Sequence, residues 1–358
     1  MTSVPSLVSF FKNKKVLVTG HTGFKGTWLT KLLLHLRAEV IGYSLAPNTS
    51  PSLYPIIENL TKNYISDIRD YQSVKSMFER ETPEIVFHLA AQPLVRVSYD
   101  DPIYTYSTNA MGTANILECV RRAKEVKSVV IITTDKVYET AGVSKSFVET
   151  DPLGGYDPYS TSKVCAEFIT SSYILSYFSN KNSPRPGIAT ARAGNVIGGG
   201  DWSKDRLFPD LVRSIFENED ELILRQPKSI RPWQHVLDPL FGYLNLSQKL
   251  YNDPNLCGAW NFGPDQKDAI TVEDIVRRSI QTFGSGSYSV FKDESKHETK
   301  TLRLNSNKAN LRLGWKAILG LDKYINWTVN WYRDFYSGSD PSKLTTNQIL
   351  AYIKLLGR

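Results

Sequence analysis

Val16-Leu17-Val18-Thr19-Gly20-His21-Thr22-Gly23-Phe24-Lys25-Gly26 decides how the rest of the chain is read. A β-branched run ends in glycine, the glycines recur at GxxGxxG spacing, and Thr27 to Leu36 continues with apolar residues at helical spacing. That is strand, turn, helix. In such a unit the first glycine permits a tight turn, the second lets backbone approach a pyrophosphate, and the third lets the helix pack on the sheet. The helix N-terminus adds N–H donors and a favourable dipole. A purely structural turn would use the same glycines, so the flanking strand and helix are what point to a dinucleotide. The candidate loop contacts are Gly20, Thr22, Gly23, Phe24, Lys25 and Gly26.

Working outward, Val40 to Tyr43, Ile85 to Ala90, Val129 to Thr133 and Ile188 to Arg192 are further strand candidates, with helical text over Tyr71 to Arg80 and Thr108 to Lys124. The alternation predicts a Rossmann-type, doubly wound parallel α/β sheet with ligands at the carboxyl ends of its strands. After the Ser183-Pro184-Arg185-Pro186-Gly187 break the pattern loosens: Gly198 to Asp201 reads as a loop, and helices are expected over Phe208 to Glu217, Val272 to Thr282 and Leu321 to Tyr336. We expect a nucleotide-binding domain over 1–190, with some later segments returning to it, and a smaller, partly interleaved α/β substrate domain over 191–358. Met1 to Lys15 reads as a leader arm without a cleavage site.

Composition removes several classes. The 358 residues carry 43 Lys+Arg against 36 Asp+Glu, a net charge of +7, with 41% hydrophobic residues. These are ordinary globular values. No basic block exceeds two residues, which disfavours nucleic acid and leaves anionic metabolites as partners. Three scattered cysteines offer neither a disulfide framework nor a CxxC site, so a reduced, cytoplasmic setting is expected. The apolar runs are strand-sized, so no membrane span is expected. The histidines form no metal-ligand spacing.

Tyr159-Ser160-Thr161-Ser162-Lys163 puts a phenol and an ammonium on one helical face, where the lysine charge is expected to pull the phenol below its reference of about 10. Such a phenol can take a proton from a sugar hydroxyl. Upstream, Thr133-Thr134-Asp135-Lys136 ends a predicted central strand; Thr134 is placed to bond the same hydroxyl, and Asp135 with Lys136 reads either as an acid/base pair or as a surface ion pair. The second strand ends without the carboxylate that usually holds the adenosine ribose, leaving NAD versus NADP open. Asp67 reads as an adenine contact or an N-cap. Arg231 offers a planar fork to phosphate, or stacks on Trp233 at the surface. His297-Glu298 reads as a base or ribose contact or a surface pair, and Trp327 with Trp331 as a packing face.

Gly20 to Gly26, His88-Leu89-Ala90-Ala91-Gln92, Asn109-Ala110-Met111-Gly112-Thr113, Thr133 to Tyr138 and Tyr159 to Lys163, in that order over almost the whole chain, resemble the extended short-chain dehydrogenase/reductase family that modifies nucleotide sugars. The loop wording, Thr-Thr-Asp-Lys and Arg231 to Asp238 resemble its 4,6-dehydratase branch. The resemblance implies NAD as cofactor, with Asp67, Ile68, Ala90, Ala91, Gln92, Asn109, Tyr159 and Lys163 joining the loop in holding it. It implies a nucleotide-sugar substrate, CDP-glucose, at Gln92, Arg96, Asn195, Arg206, Arg231 and His297, and a place in deoxysugar biosynthesis. The implied chemistry is C4 oxidation, loss of water across C5–C6 and hydride return to C6, with Asp135 as acid at the C6 oxygen and Lys136 as C5 base. A lysine base must be partly neutral and so needs a depressed pKa. The resemblance also implies a homodimer through a four-helix interface, to which Ile116, Leu117, Val120, Val164, Phe168 and Ile169 are assigned. Alternatives are another NAD(P)-dependent nucleotide-sugar dehydratase or epimerase, and a silent dinucleotide-binding scaffold, against which Thr134, Tyr159 and Lys163 together argue.

Overall fold

The architecture comes from a computed structural model that describes residues 4–140, 145–180, 185–217, 221–265, 270–291 and 302–357. Seven parallel strands, β1 (Lys15–Thr19), β2 (Glu39–Ser44), β3 (Lys62–Ile65), β4 (Ile85–His88), β5 (Ser128–Ile132), β6 (Gly187–Ala193) and β7 (Gly258–Phe262), pair in the order β7-β6-β5-β4-β1-β2-β3. The order reverses between β1 and β4, which is where an open α/β sheet leaves a crevice for ligands.

The central strands are buried on both faces, and their alternation sorts side chains into two layers. Val16 and Val18 of β1, Phe87 of β4 and Val130 of β5 join one core; Leu17, Val86 and Val129 join the other. Each such fully buried side chain contributes ~1.5–3 kcal/mol by leaving water. The first core is covered by α1 (Val4–Phe11), α2 (Phe24–His35) and, further on, by the C-terminal elements; the second by α3 (Tyr71–Glu81) and by helices that follow β4. The helices that follow β4 are α4 (Val95–Asp100), α5 (Pro102–Tyr106), α6 (Gly112–Arg122) and α7 (Pro158–Tyr177); α6 and α7 pack on the second core, while α4 and α5 pack against α7. Beyond β6 come α8 (Leu207–Phe216), α9 (Leu237–Asn252), α10 (Val272–Phe283), α11 (Asn307–Leu313), α12 (Leu321–Tyr336) and α13 (Pro341–Leu356). None of the helices among the described residues is long and apolar enough to cross a membrane.

Two expectations are corrected here and one is met. The leader arm is helical: Leu7 and Phe11, one turn apart, are buried, and Phe10 meets Tyr251 of α9 edge-on at 5.2 Å. Ile116, Leu117 and Val120 are not surplus apolar residues, because they fill the second core, and Val164 packs with Val137 and Phe147. Large apolar side chains left in solvent on α4, α5 and α7 include Tyr99, Ile103, Phe168, Leu175 and Tyr177. Trp331 is a packing residue as expected, so close to Gly199 that a Cβ there would lie 1.9 Å from its ring.

Candidate active site

The glycine loop is shaped by contacts behind it. Gly20 sits at φ +74, and a Cβ on it would lie 2.7 Å from the Ala90 nitrogen; a Cβ on Gly26 would lie 2.0 Å from the Gly20 carbonyl. Only glycine fits either place. Gly23 faces the open side, onto a cleft of about 800 Å³ lined by Gly20, Thr22, Gly23, Asp67, Ile68 and Ala90 at one end and by Thr134, Asp135, Tyr159 and Lys163 further in. A volume of this size suits an extended ligand. Where β2 lacks its carboxylate, the Ser44 and Thr22 hydroxyls share a hydrogen bond of 2.9 Å, and Thr22 donates to the Leu45 carbonyl. Asp67 lies on the cleft wall but is not the N-cap; that is Asp70, which accepts from Ser73 N. The Asp67 carboxylate instead pairs with Arg69 at 2.6 Å, which holds it below the usual carboxylate range.

At the inner end, Asp157 caps α7 in a capping box and Pro158 opens its first turn, which fixes the start of the helix that carries Tyr159 and Lys163. The Tyr159 phenol bonds Thr134, and Lys163 Nζ donates to the Ile132 carbonyl at 3.1 Å. The expected lysine-depressed phenol is not found. Burial pushes Tyr159 up to about 12, opposed by the Thr134 hydrogen bond and by Arg206. Burial also brings Lys163 down to about 8, opposed by the Glu167 charge.

Asp135 is no surface residue: it is 2% exposed, accepts from Thr134 Oγ1 at 3.1 Å, and burial raises its carboxyl pKa against the pull of Lys136, Arg231 and Lys25. Its Oδ2 has no hydrogen-bond partner among the described residues. A carboxyl held towards its neutral form can act as an acid. Lys136 lines the same cleft. The lysines that burial brings down to about 8 are Lys163 and Lys25, and Lys25 lies in the electrostatic reach of Arg206, Asp135, Lys163 and Asp201. The phosphate loop therefore delivers a charge to the reacting end, which its glycine pattern does not reveal.

On the substrate side, Arg96, Asn195, Arg206 and Arg231 all line the cleft. Arg231 is 4% exposed, so the surface-stacking alternative fails. Arg206 pairs with Asp201 at 2.9 Å, and Arg96 with Asp205 at 3.3 Å. Gln92 and Ala91 line the cleft too, but the Gln92 amide is occupied by its own loop, donating to Thr105 Oγ1 and the Leu94 carbonyl. Asn109 is not brought to the cleft: it is fully buried behind the wall, bonding Gln92 N, the Gln92 carbonyl and Ser162 Oγ. His297, with Glu298, lies outside the described residues, as do Ser183 and Pro184. Asp201, Asp205 and a buried Glu167–Arg192 ion pair of 2.8 Å were missed by the sequence reading. Of these, Glu167 was accessible to it, falling one helical turn after Lys163. No cluster of three metal-ligating residues occurs among the described residues.

The chain is 45% identical over 356 residues to a CDP-glucose 4,6-dehydratase of Salmonella typhimurium, a match covering 98% of this chain and 99% of that protein. It is 26% identical over 341 residues to a probable dTDP-glucose 4,6-dehydratase of Sinorhizobium fredii, covering 89% and 92%. A crystal structure of a dTDP-glucose 4,6-dehydratase from Streptomyces venezuelae with NAD and TYD bound superposes with a TM-score of 0.78 at 23% identity, covering 92% and 99%, and speaks for the fold. The model of the family described as GDP-mannose 4,6 dehydratase matches residues 17–328. A match of that extent decides membership: this chain belongs to that family, within the extended short-chain dehydrogenase/reductases.

Proposed function

We propose that this chain is an NAD-dependent hydro-lyase that converts CDP-glucose to CDP-4-keto-6-deoxyglucose. The observation that carries the reading is the buried Asp135, with its free Oδ2, set beside Thr134 and Tyr159 in one cleft. An epimerase needs the phenol alone, whereas elimination needs a second acid at C6. The 45% identity to the Salmonella relative over nearly the full length of both chains supports cytosine as the base.

The loop fits a dinucleotide pyrophosphate, since the Gly20 and Gly26 contacts leave its backbone bare towards the cleft. Gly20, Thr22, Gly23 and Gly26 would hold the phosphates, Asp67, Ile68, Ala90 and Ala91 the adenosine side, and Tyr159 with Lys163 the reactive end. NAD supplies, when bound, a reversible hydride store for C4 and C6 and a positive ring whose charge opposes the burial that lifts Tyr159. Thr134 and Tyr159 bond the C4 hydroxyl, and the phenolate form of Tyr159 takes its proton. The resulting ketone acidifies the C5 proton, which Lys136 accepts. Asp135, kept towards its acid form by burial, gives its proton to the C6 oxygen, and water leaves. Arg206 and Arg231 balance the substrate diphosphate. We further assign a cytoplasmic homodimer, joined through the exposed apolar faces of α5 and α7.

Purified protein incubated with CDP-, dTDP-, UDP- and GDP-glucose is expected to give a 4-keto-6-deoxy product from CDP-glucose, and Tyr159→Phe is expected to lose ~10²–10⁴-fold in rate. Turnover of dTDP-glucose in preference to CDP-glucose would overturn the assignment.

A further inference from the structure

Helix α7 carries a third residue on the face of Tyr159 and Lys163. Glu167 is 5% exposed and lies a second turn along. Its Oε1 accepts from Thr133 Oγ1 at 2.6 Å and Arg192 Nε at 2.8 Å; its Oε2 accepts from Thr190 Oγ1 at 2.6 Å and Arg192 Nη2 at 2.9 Å. Arg192 also donates to the Tyr138 phenol at 2.9 Å, and Tyr138 donates to Asn261 of β7 at 2.7 Å. One carboxylate thus ties α7 to the ends of β5 and β6, and through Tyr138 to β7. The three residues of α7 take three consecutive positions of the β5 end: Lys163 the Ile132 carbonyl, Glu167 the Thr133 hydroxyl, Tyr159 the Thr134 hydroxyl.

We infer that Glu167 is a positioning residue for the dehydration site, holding Thr133-Thr134-Asp135 against α7 and supplying the negative charge that faces the Lys163 ammonium. The inference rests on the dehydratase reading for its substrate, not for its geometry. In electrostatic reach of Lys163 are Glu167 from its own helix, His88 from β4 and Lys25 from the phosphate loop; Tyr159, Asp135 and Lys136 line the same cleft, and Arg192 is paired to Glu167. Within this set, Glu167 is the group that resists the burial of Lys163.

The test compares wild type with Glu167→Gln and Glu167→Asp, reading CDP-glucose turnover and NAD binding by fluorescence titration from about pH 6 to about pH 10. Glu167→Gln is expected to lower kcat roughly 100-fold with little change in KM, because a misplaced catalytic group costs about that much. Its alkaline limb is expected to move down by about one pH unit, since Lys163 loses the charge that keeps it protonated. Glu167→Asp keeps the charge and loses the reach, so kcat should fall while the limb stays in place. Should Arg192, left unpaired, unfold the Gln variant, the double variant Glu167→Gln with Arg192→Gln removes both charges and should show the same limb shift. Uniform loss at every pH in both single variants, or an unmoved limb in the double variant, would overturn the inference. If wild type leaves CDP-glucose untouched, the function fails on wild type alone. The pH inflection of NAD binding then carries the same comparison, and an inflection that Glu167→Gln does not move would overturn the inference.

Discussion

Asp135 acquires its role from where β5 stops. The strand ends at Ile132, and the chain turns inward so that the carboxyl is 2% exposed, bonded to Thr134 on one oxygen and open on the other. Lys136, next in sequence, stays half-buried on the cleft wall. Adjacent residues thus meet different surroundings, and burial pushes the Asp135 carboxyl towards its neutral form. If Asp135 serves the C6 oxygen and Lys136 the C5 proton, Asp135→Asn should keep exchanging the C5 hydrogen with solvent deuterium while losing product by ~10²–10⁴-fold, and Lys136→Met should lose both. Exchange surviving in Lys136→Met and vanishing in Lys25→Met would move the base to the phosphate loop. The Tyr159–Lys163 spacing was legible in the sequence. The raised phenol was not, because spacing reports who is near and not how much water is excluded.

At the scale of elements, strands and amphipathic helices were legible and uniformly buried ones were not. Tyr71–Glu81 and Leu321–Tyr336 keep one apolar stripe and were read with bounds close to those found. Helix α9 is apolar on nearly every side, buried from Leu237 through Ser247, so no 3.6-residue period survives to announce it. Strand β7, Gly-Ala-Trp-Asn-Phe, lacks β-branched residues altogether, and its pairing with β6 supplies what its composition does not. The same burial argument relocates the expected dimer face. Phe168 and Leu175 lie two turns apart on α7 and stay exposed, at 59% and 68%, as does Ile103 of α5, a helix packed against α7. Phe168→Asp with Leu175→Asp is expected to give a monomer by light scattering at micromolar concentration without lowering the melting temperature of the monomer's own core. A wild type that is already monomeric, or a variant still dimeric, would remove the assignment.

For the whole molecule, the +7 charge is partly explained by the cleft, where Lys25, Lys163, Arg206 and Arg231 converge and acids such as Asp201 partly offset them. Buried histidines set the acid limit of the fold. Burial lowers His88 and His235 from 6.5 to about 3 and His21 to about 4. The unfolded chain takes up these protons below 6.5 and the folded chain does not, so stability is complete above 6.5 and is lost as pH falls towards 3. Each histidine costs about 1.4 kcal/mol per pH unit in that window. Asp210, lifted to about 6 by burial, and Asp135, also raised by burial, work in the opposite sense against the three histidines. Melting temperature should therefore fall steadily from pH 6.5 down to about 4, more gently in His235→Gln; a flat profile would contradict the burial of neutral imidazoles.

In a 4,6-dehydration each sugar molecule receives back at C6 the hydride taken from its own C4. CDP-glucose carrying deuterium at C4, turned over in ordinary water and followed by NMR, measures that directly. The expected outcome is CDP-4-keto-6-deoxyglucose with the deuterium at C6 and a solvent proton at C5. Unchanged substrate, inversion at C4 with the label still in place, or a product whose C6 carries no deuterium would contradict it.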